Sequence, residues 1–292
     1  MILESSVYPG TTDEVIKPIL EKNGLVAGKD FGLAHSPERI DYGNNRYNIR
    51  DIPKIVGGIT PLCTEIASSL YSRIIRAPIV KTSSMRTAES AKMLENTYRY
   101  VNIALANELA ILHEKLGVDF FEVIKAASTK PFGFQPFYPG PGVGGHCIPK
   151  DPHYLSYKAH QLGMELRLVE VAQNINEGMV DHIVTRLEQY MRGKGKQLIG
   201  ARVAILGLAF KADVSDTRKS PSIPMIEALL KYHTKIEVFD PIVRSISTRQ
   251  GVFTSADTLD AAVDSADVVM LITPTPTIQV SGLVEAQQIS SG

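Results

Sequence analysis

Hydrophobic positions change their period twice along this chain, and the changes mark three stretches. Over residues 1–82, short apolar runs alternate with amphipathic ones. Residues 1–7 read as a short strand, Pro9-Gly10 interrupts it, and Thr11-Thr12-Asp13-Glu14 offers side-chain oxygens to cap a helix start. Strand-like runs at 52–56 and 74–80 flank a helical pattern at 61–71, so this stretch reads as α/β. From 87 to 116 there are thirty residues without Gly or Pro, and Gly117 is placed to end a helix by taking positive φ. A helix that long needs a partner along its course, which a second subunit can supply. Further helical patterns cover 119–129, 154–162 and 166–191, separated by a loop, 130–150, with ten Gly or Pro in 21 residues. Such a loop must be shaped by something outside itself. After a linker at 193–196, a buried-type strand at 202–208, a helix at 221–232 and strands at 235–239 and 267–272 begin a second parallel sheet. Beyond residue 273 no periodicity remains.

Composition narrows the function classes. The 292 residues suggest about two domains, with 44% hydrophobic and 21% charged residues as in ordinary globular proteins. Thirty-one Lys+Arg against 31 Asp+Glu leave zero formal charge, so nothing in bulk favours nucleic acid or an anionic membrane. Any anionic ligand must be held locally. No apolar run approaches the roughly 20 residues of a membrane helix, and the start lacks the pattern of a signal peptide. Two cysteines, Cys63 and Cys147, make no disulfide framework and point to the reducing cytosol. The seven histidines show no metal-ligand spacing, so no metal is expected.

Candidate chemistry collects at a few positions. Cys147 follows Gly144-Gly145-His146, where the glycines let backbone come close to a ligand, and precedes the charged pair Lys150-Asp151. A nucleophile and a small buried hydrophobe both remain open for it. Lys92 and Asn96 lie four apart and share a helix face, either to converge on a ligand or to be solvated. Glu38 follows a proline in a loop after a strand and says little alone. Gly207-Leu208-Ala209 stands where a dinucleotide fold places its glycine turn, but Ala209 and Ala212 break the GxGxxG spacing, so a pyrophosphate cradle there is doubtful. Asp213, Asp216, Arg218 and Lys219 precede a helix start, where a guanidinium suits a phosphate.

Five motifs in order carry a resemblance: Glu4 to Thr12, Ser36-Pro37-Glu38-Arg39, Glu89 to Asn96, Gly144-Gly145-His146-Cys147 with Lys150-Asp151, and Phe210-Lys211 with Asp216-Thr217-Arg218. Over residues 1–273 the chain resembles the UDP-sugar 6-dehydrogenases, and its motif forms look most like the UDP-N-acetylglucosamine and UDP-N-acetylmannosamine enzymes. The resemblance implies an α/β chain of three parts: 1–85 as the C-terminal part of a Rossmann NAD domain, 86–192 as a central helical dimerisation and catalytic domain, and 193–292 as an incomplete Rossmann-like UDP-binding domain. The family's glycine-rich NAD turn and first strands have no counterpart here, so the chain reads as a fragment, with a parallel sheet lacking its first strands and with little NAD affinity of its own.

The implied activity is NAD-dependent oxidation of a UDP-N-acetylhexosamine C6 alcohol to the uronate, through a thiohemiacetal and a thioester on Cys147. In that scheme Glu38 matches the general base for hydrolysis, with Asp151 a second candidate, and Lys92 and Asn96 match the oxyanion-stabilising groups. Tyr138, Gly144, Gly145 and Lys211 match substrate-binding positions, and Ser5, Lys150 and Arg218 positions near NAD. UDP-glucose as substrate, or a remnant that binds UDP-sugar without oxidising it, are the competing readings. An unrelated acyl-transfer thiol enzyme is disfavoured, because no His-Asp pattern accompanies Cys147.

Overall fold

The structure is a computed structural model that describes residues 1–41, 43, 44, 46–275 and 278. The chain divides into two compact units, Met1–Arg99 with Cys147–Val169, and Tyr100–His146 with Glu170–Gly292.

In the first unit β1 (Ile2–Leu3), β2 (Ala34–His35), β3 (Lys54–Gly58) and β4 (Ile79–Lys81) form one sheet in that order. The outer pairs are parallel, but β2 runs antiparallel to β3, with Ala34 opposite Gly58 and His35 opposite Gly57. The parallel sheet expected here is therefore a mixed one. Two of its strands are shorter than the runs that predicted them: the 74–80 run gives way to the three-residue β4, and the 1–7 run contributes two residues, because the polar Glu4-Ser5-Ser6 leaves the sheet. The helix α2 (Pro61–Ser72) starts as its sequence dictates, with Thr60 accepting the Cys63 N–H and Pro61 in the first turn, where no N–H is needed. Its Ala67 and Tyr71 pack on Ala34, Val56 and Ile75.

The opening helix is different. Thr12–Ile16 is a π-helical turn leading into α1 (Lys17–Glu21), and none of its own side chains caps it. The Thr11 hydroxyl is committed to the Tyr8 carbonyl at 2.7 Å. The cap comes instead from Glu89, far along the chain in α3 (Met85–Lys115). Its Oε2 accepts the Gly10 N–H at 2.5 Å, and its Oε1 accepts the Thr12 N–H at 2.9 Å and the Thr12 hydroxyl at 2.6 Å. A carboxylate on backbone N–H groups that have no partner within the helix complements both their hydrogen-bonding need and the helix dipole. Salt bridges from Arg86 to Asp13 and Glu14, and from Lys158 to Glu14, hold the same turn from outside. Lys158 belongs to α5 (Asp151–Gln161), which begins three residues earlier than its pattern suggested because Pro152 is tolerated in a first turn.

In the second unit Gly117 ends α3 with φ of +66°, as expected. Asp119 caps α4 (Phe120–Ala127) by accepting the Phe121 N–H. The sheet β6 (Lys235–Phe239), β5 (Arg202–Leu206), β9 (Val268–Leu271) is wholly parallel. Strand β5 is central and nearly all apolar, as a strand covered on both faces must be. The core joins Val184, Leu187 and Met191 of α6 (Arg167–Gly193) to Ile205 and to Met225, Ile226 and Leu229 of α7 (Ser222–Leu230). A hairpin of β7 (Ser245–Thr248) and β8 (Gly251–Thr254) and the short α8 (Leu259–Val263) complete the described part.

Candidate active site

One face of α3 carries Lys92 and Asn96, which are 7% and 9% exposed and so are packed in, not solvated. Asn96 Nδ2 donates to Asp151 Oδ2 at 2.6 Å. Asp151 is buried at the start of α5, and its N–H and that of Lys150 both donate to the Cys147 carbonyl, at 2.8 and 3.0 Å. The thiol-bearing turn and the Lys92-Asn96 face are thus tied through one residue, Asp151, by its carboxylate to Asn96 and its N–H to the Cys147 carbonyl. Cys147 is half-buried, whereas Cys63 is buried at the start of α2.

Glu38 sits in a second cluster of the same unit. Its Oε1 accepts the Arg39 and Ile40 N–H groups at 2.7 and 2.8 Å, and its Oε2 meets Lys54 Nζ at 3.0 Å. Lys54 also pairs with Glu4 at 3.1 Å and lies over the Tyr71 ring, whose hydroxyl donates to Glu4 at 2.5 Å. Burial works upward on Glu4, but Tyr71 and Lys54 outweigh it and hold this carboxyl below its ordinary range. Lys54 went unnoticed in the sequence, although a lysine opening an apolar strand run is itself a signal of a buried charge partner. Next to it lies His35, 1% exposed, with a pKa depressed to about 4 first by burial and then by the positive charges of Lys92 and Lys54.

The second unit holds the other candidates. The glycine-rich loop is shaped by two buried amides: Asn107 Oδ1 accepts the Gly140 N–H at 2.9 Å, and Asn107 Nδ2 donates to Asn176 Oδ1 at 2.9 Å. Gly144 and Gly145 allow a close approach, but to protein. A Cβ on Gly144 would lie 2.9 Å from Pro221 Cδ and 3.1 Å from Phe210 Cβ, and one on Gly145 would lie 3.0 Å from the Phe210 ring. The loop therefore rests on the segment carrying Lys211. Tyr138 is exposed and stacks on Phe121 at 6.3 Å. Arg218 is held by Asp216 through Nε and Nη2, and that contact keeps the Asp216 carboxyl below its usual range, with His146 adding to it.

At the end of β5 the turn expected to be a doubtful cradle carries an internal anion. Asp240 Oδ2 accepts the Leu208 and Ala209 N–H groups at 2.7 and 3.3 Å, and its Oδ1 accepts those of Ile242 and Val243, each at 2.8 Å. Gly207, at φ of +90°, has Thr273 backbone 2.3 Å from the site of a Cβ, so only glycine fits.

Among the described residues no group of three His, Cys, Asp or Glu can hold a metal ion, and no helix is long and apolar enough to cross a membrane. For a dinucleotide, Ser5 fits best, exposed just beyond the carboxyl end of β1, where open α/β sheets take ligands.

Residues 1–75, 86–178 and 204–289 match, respectively, the NAD binding, central and UDP binding domains of the UDP-glucose/GDP-mannose dehydrogenase family. The chain is 43% identical over 244 residues to the UDP-N-acetyl-D-glucosamine 6-dehydrogenase of Pseudomonas aeruginosa, covering 83% of this chain and 57% of the relative. It is 41% identical over 276 residues to Protein CapL of Staphylococcus aureus, covering 94% and 64%. The UDP-N-acetyl-D-mannosamine dehydrogenase of Campylobacter jejuni is 33% identical over 282 residues, covering 93% and 67%. Among solved structures, the UDP-D-ManNAc dehydrogenase of Pyrococcus horikoshii superposes with a TM-score of 0.85 at 36% identity, over 94% of this chain and 62% of that one. The chain spans about three-fifths of the length of several such curated relatives.

Proposed function

This chain belongs to the UDP-glucose/GDP-mannose dehydrogenase family, and from that premise we propose that it oxidises the C6 alcohol of a UDP-N-acetylhexosamine to the uronate with NAD. The carrying observation is the tie between α3 and the turn before α5, in which Asp151 binds Asn96 while its own N–H binds Cys147.

NAD, when bound, takes up the hydride that leaves C6 in each of the two oxidations. Ser5, Lys150 and Arg218 are the residues we assign to hold it. The Cys147 thiolate adds to the carbon of the C6 aldehyde, forming a C–S bond while the carbonyl electron pair moves to oxygen. That oxygen is met by the Lys92 ammonium and by Asn96, whose amide has two N–H groups and commits one to Asp151. Asp151 thereby orients Asn96, a role its burial suits better than that of a base. After the second oxidation a thioester remains on Cys147. Glu38 takes a proton from the attacking water, the C–S bond breaks, and the thiolate leaves. Tyr138, Gly144, Gly145 and Lys211 are assigned to the UDP-sugar.

Within this reading residues 1–85, 86–192 and 193–292 serve as NAD-binding, central and UDP-binding parts, and the central helix pairs two copies. Reactive thiol chemistry of this kind fits a reducing cytosol. The test is incubation with NAD and a panel of UDP-sugars of the whole protein to which these residues belong, since the 292 residues alone are expected to hold little NAD. Two NADH per uronate from a UDP-N-acetylhexosamine is expected, turnover of UDP-glucose alone would move the substrate assignment, and binding of UDP-sugar without NADH would overturn the oxidation.

A further inference from the structure

Behind Lys92, on the side of the first sheet, lies a chain of buried contacts that the reaction scheme leaves unused. Thr12 is fully buried, and its hydroxyl lies 2.6 Å from Glu89 Oε1 and 3.3 Å from His35 Nδ1. A hydroxyl has one proton to give. The shorter contact, to a carboxylate, takes that proton, so the imidazole must donate across the longer one and carry its own proton on Nδ1. Glu89 and Lys92 lie three residues apart on α3, so the same helix delivers both ends of the arrangement. Two cations act on the ring through their charge, Lys92 from α3 and Lys54 from β3, with Glu4 beyond β1 as the opposing anion. Lys54 is neutralised by Glu4 and Glu38, whereas the Lys92 side chain makes no hydrogen bond or ion pair among the described residues.

We propose that Glu89, Thr12 and His35 are positioning residues that lock the imidazole as the neutral Nδ1–H form against Lys92, so that the Lys92 ammonium keeps its charge for the anionic oxygen at C6 of the sugar. A charged or freely turning ring would either repel Lys92 or offer it a competing partner. This rests on the dehydrogenase reading for the identity of the anion, but the state of the ring stands apart from it. Glu89 is central because it decides the direction of the chain: as a carboxylate it accepts from three donors, and only then is the Thr12 proton committed away from His35.

The test uses nitrogen NMR of the histidine rings in the 292-residue chain, with His35→Asn to assign the resonance. Wild-type protein is expected to show the proton on Nδ1 at neutral pH, Thr12→Ser to keep it there, and Thr12→Val, equal in shape but without the hydroxyl, to move it to Nε2. A second readout needs no cofactor. The affinity of the product-like UDP-N-acetylglucosaminuronate, relative to UDP, reports how well Lys92 meets a C6 anion, and this ratio is expected to fall about tenfold in Thr12→Val and to be retained in Thr12→Ser. A wild-type ring with its proton on Nε2, or a ratio that ignores the Thr12 hydroxyl, overturns the proposal. If the ring behaves as described but the wild-type chain binds neither UDP nor the uronate, it is the dehydrogenase reading that fails.

Discussion

Cys147 stands half-buried at the foot of α5, with its carbonyl already bound by two N–H groups of the next turn, so a side-chain change there leaves the backbone anchored. Cys147→Ser is therefore expected to fold normally and to form no uronate, because a serine hydroxyl gives up its proton far less readily than a thiol; wild-type turnover by this variant would contradict the covalent route. Glu38→Gln also leaves the local structure standing, since Lys54 keeps Glu4. In that variant the thioester should form and persist, visible as an adduct on Cys147 by intact mass. Poor substrate binding with no adduct would make Glu38 a binding residue instead. His35 sets a pH window. Its ring protonates near pH 6.5 when unfolded but only near 4 when folded, so unfolding takes up a proton between those values and stability drops as pH falls through them, by up to about 3 kcal/mol. Above pH 6.5 it contributes nothing. Urea midpoints at pH 7 and pH 5 should differ less in His35→Asn than in wild type.

The long elements were legible in the sequence and the short ones were not. The run without Gly or Pro produced α3 within two residues at its start, and the continuous apolar run produced β5, because length and period average out local exceptions. The hairpin at β7 and β8 escaped notice because Ser245–Thr248 and Gly251–Thr254 each place too few apolar residues to show alternation. The same holds for the site. Lys92 and Asn96 could be paired by helical spacing, but the partnership of Asn96 with Asp151, and of Glu38 with Lys54, joins distant parts of the chain that no local pattern couples. The loop at 130–150 did need outside support, and Asn107 and Asn176 provide it. Asn107→Leu leaves the Gly140 N–H and the Asn176 amide oxygen without partners, at a cost of about 1–3 kcal/mol for each orphaned group. A lower melting temperature together with faster proteolysis inside 130–150 is expected, and a variant that melts like wild type would show that the loop is held by other contacts.

At the scale of the whole molecule, α3 leaves Leu94, Tyr98, Leu105 and Leu112 exposed, the last three at steps of seven, which is the repeat of a helix seam. This supports the proposed dimer, and Leu105→Glu with Leu112→Glu is expected to halve the mass seen in sedimentation; an unchanged mass would place any interface elsewhere. The balance of charge has a counterpart inside. A neutral protein that handles anions has to offer them backbone N–H groups or cations at chosen places. Two such places, the turn before α1 and the turn after β5, already hold Glu89 and Asp240. A carboxylate supplied by the chain itself competes as a tethered ligand, at an effective concentration that free phosphate in solution does not match. These turns are in that sense permanently self-inhibited. The pyrophosphate of any nucleotide is thereby steered away from these two turns and left to sites where the chain keeps no anion of its own.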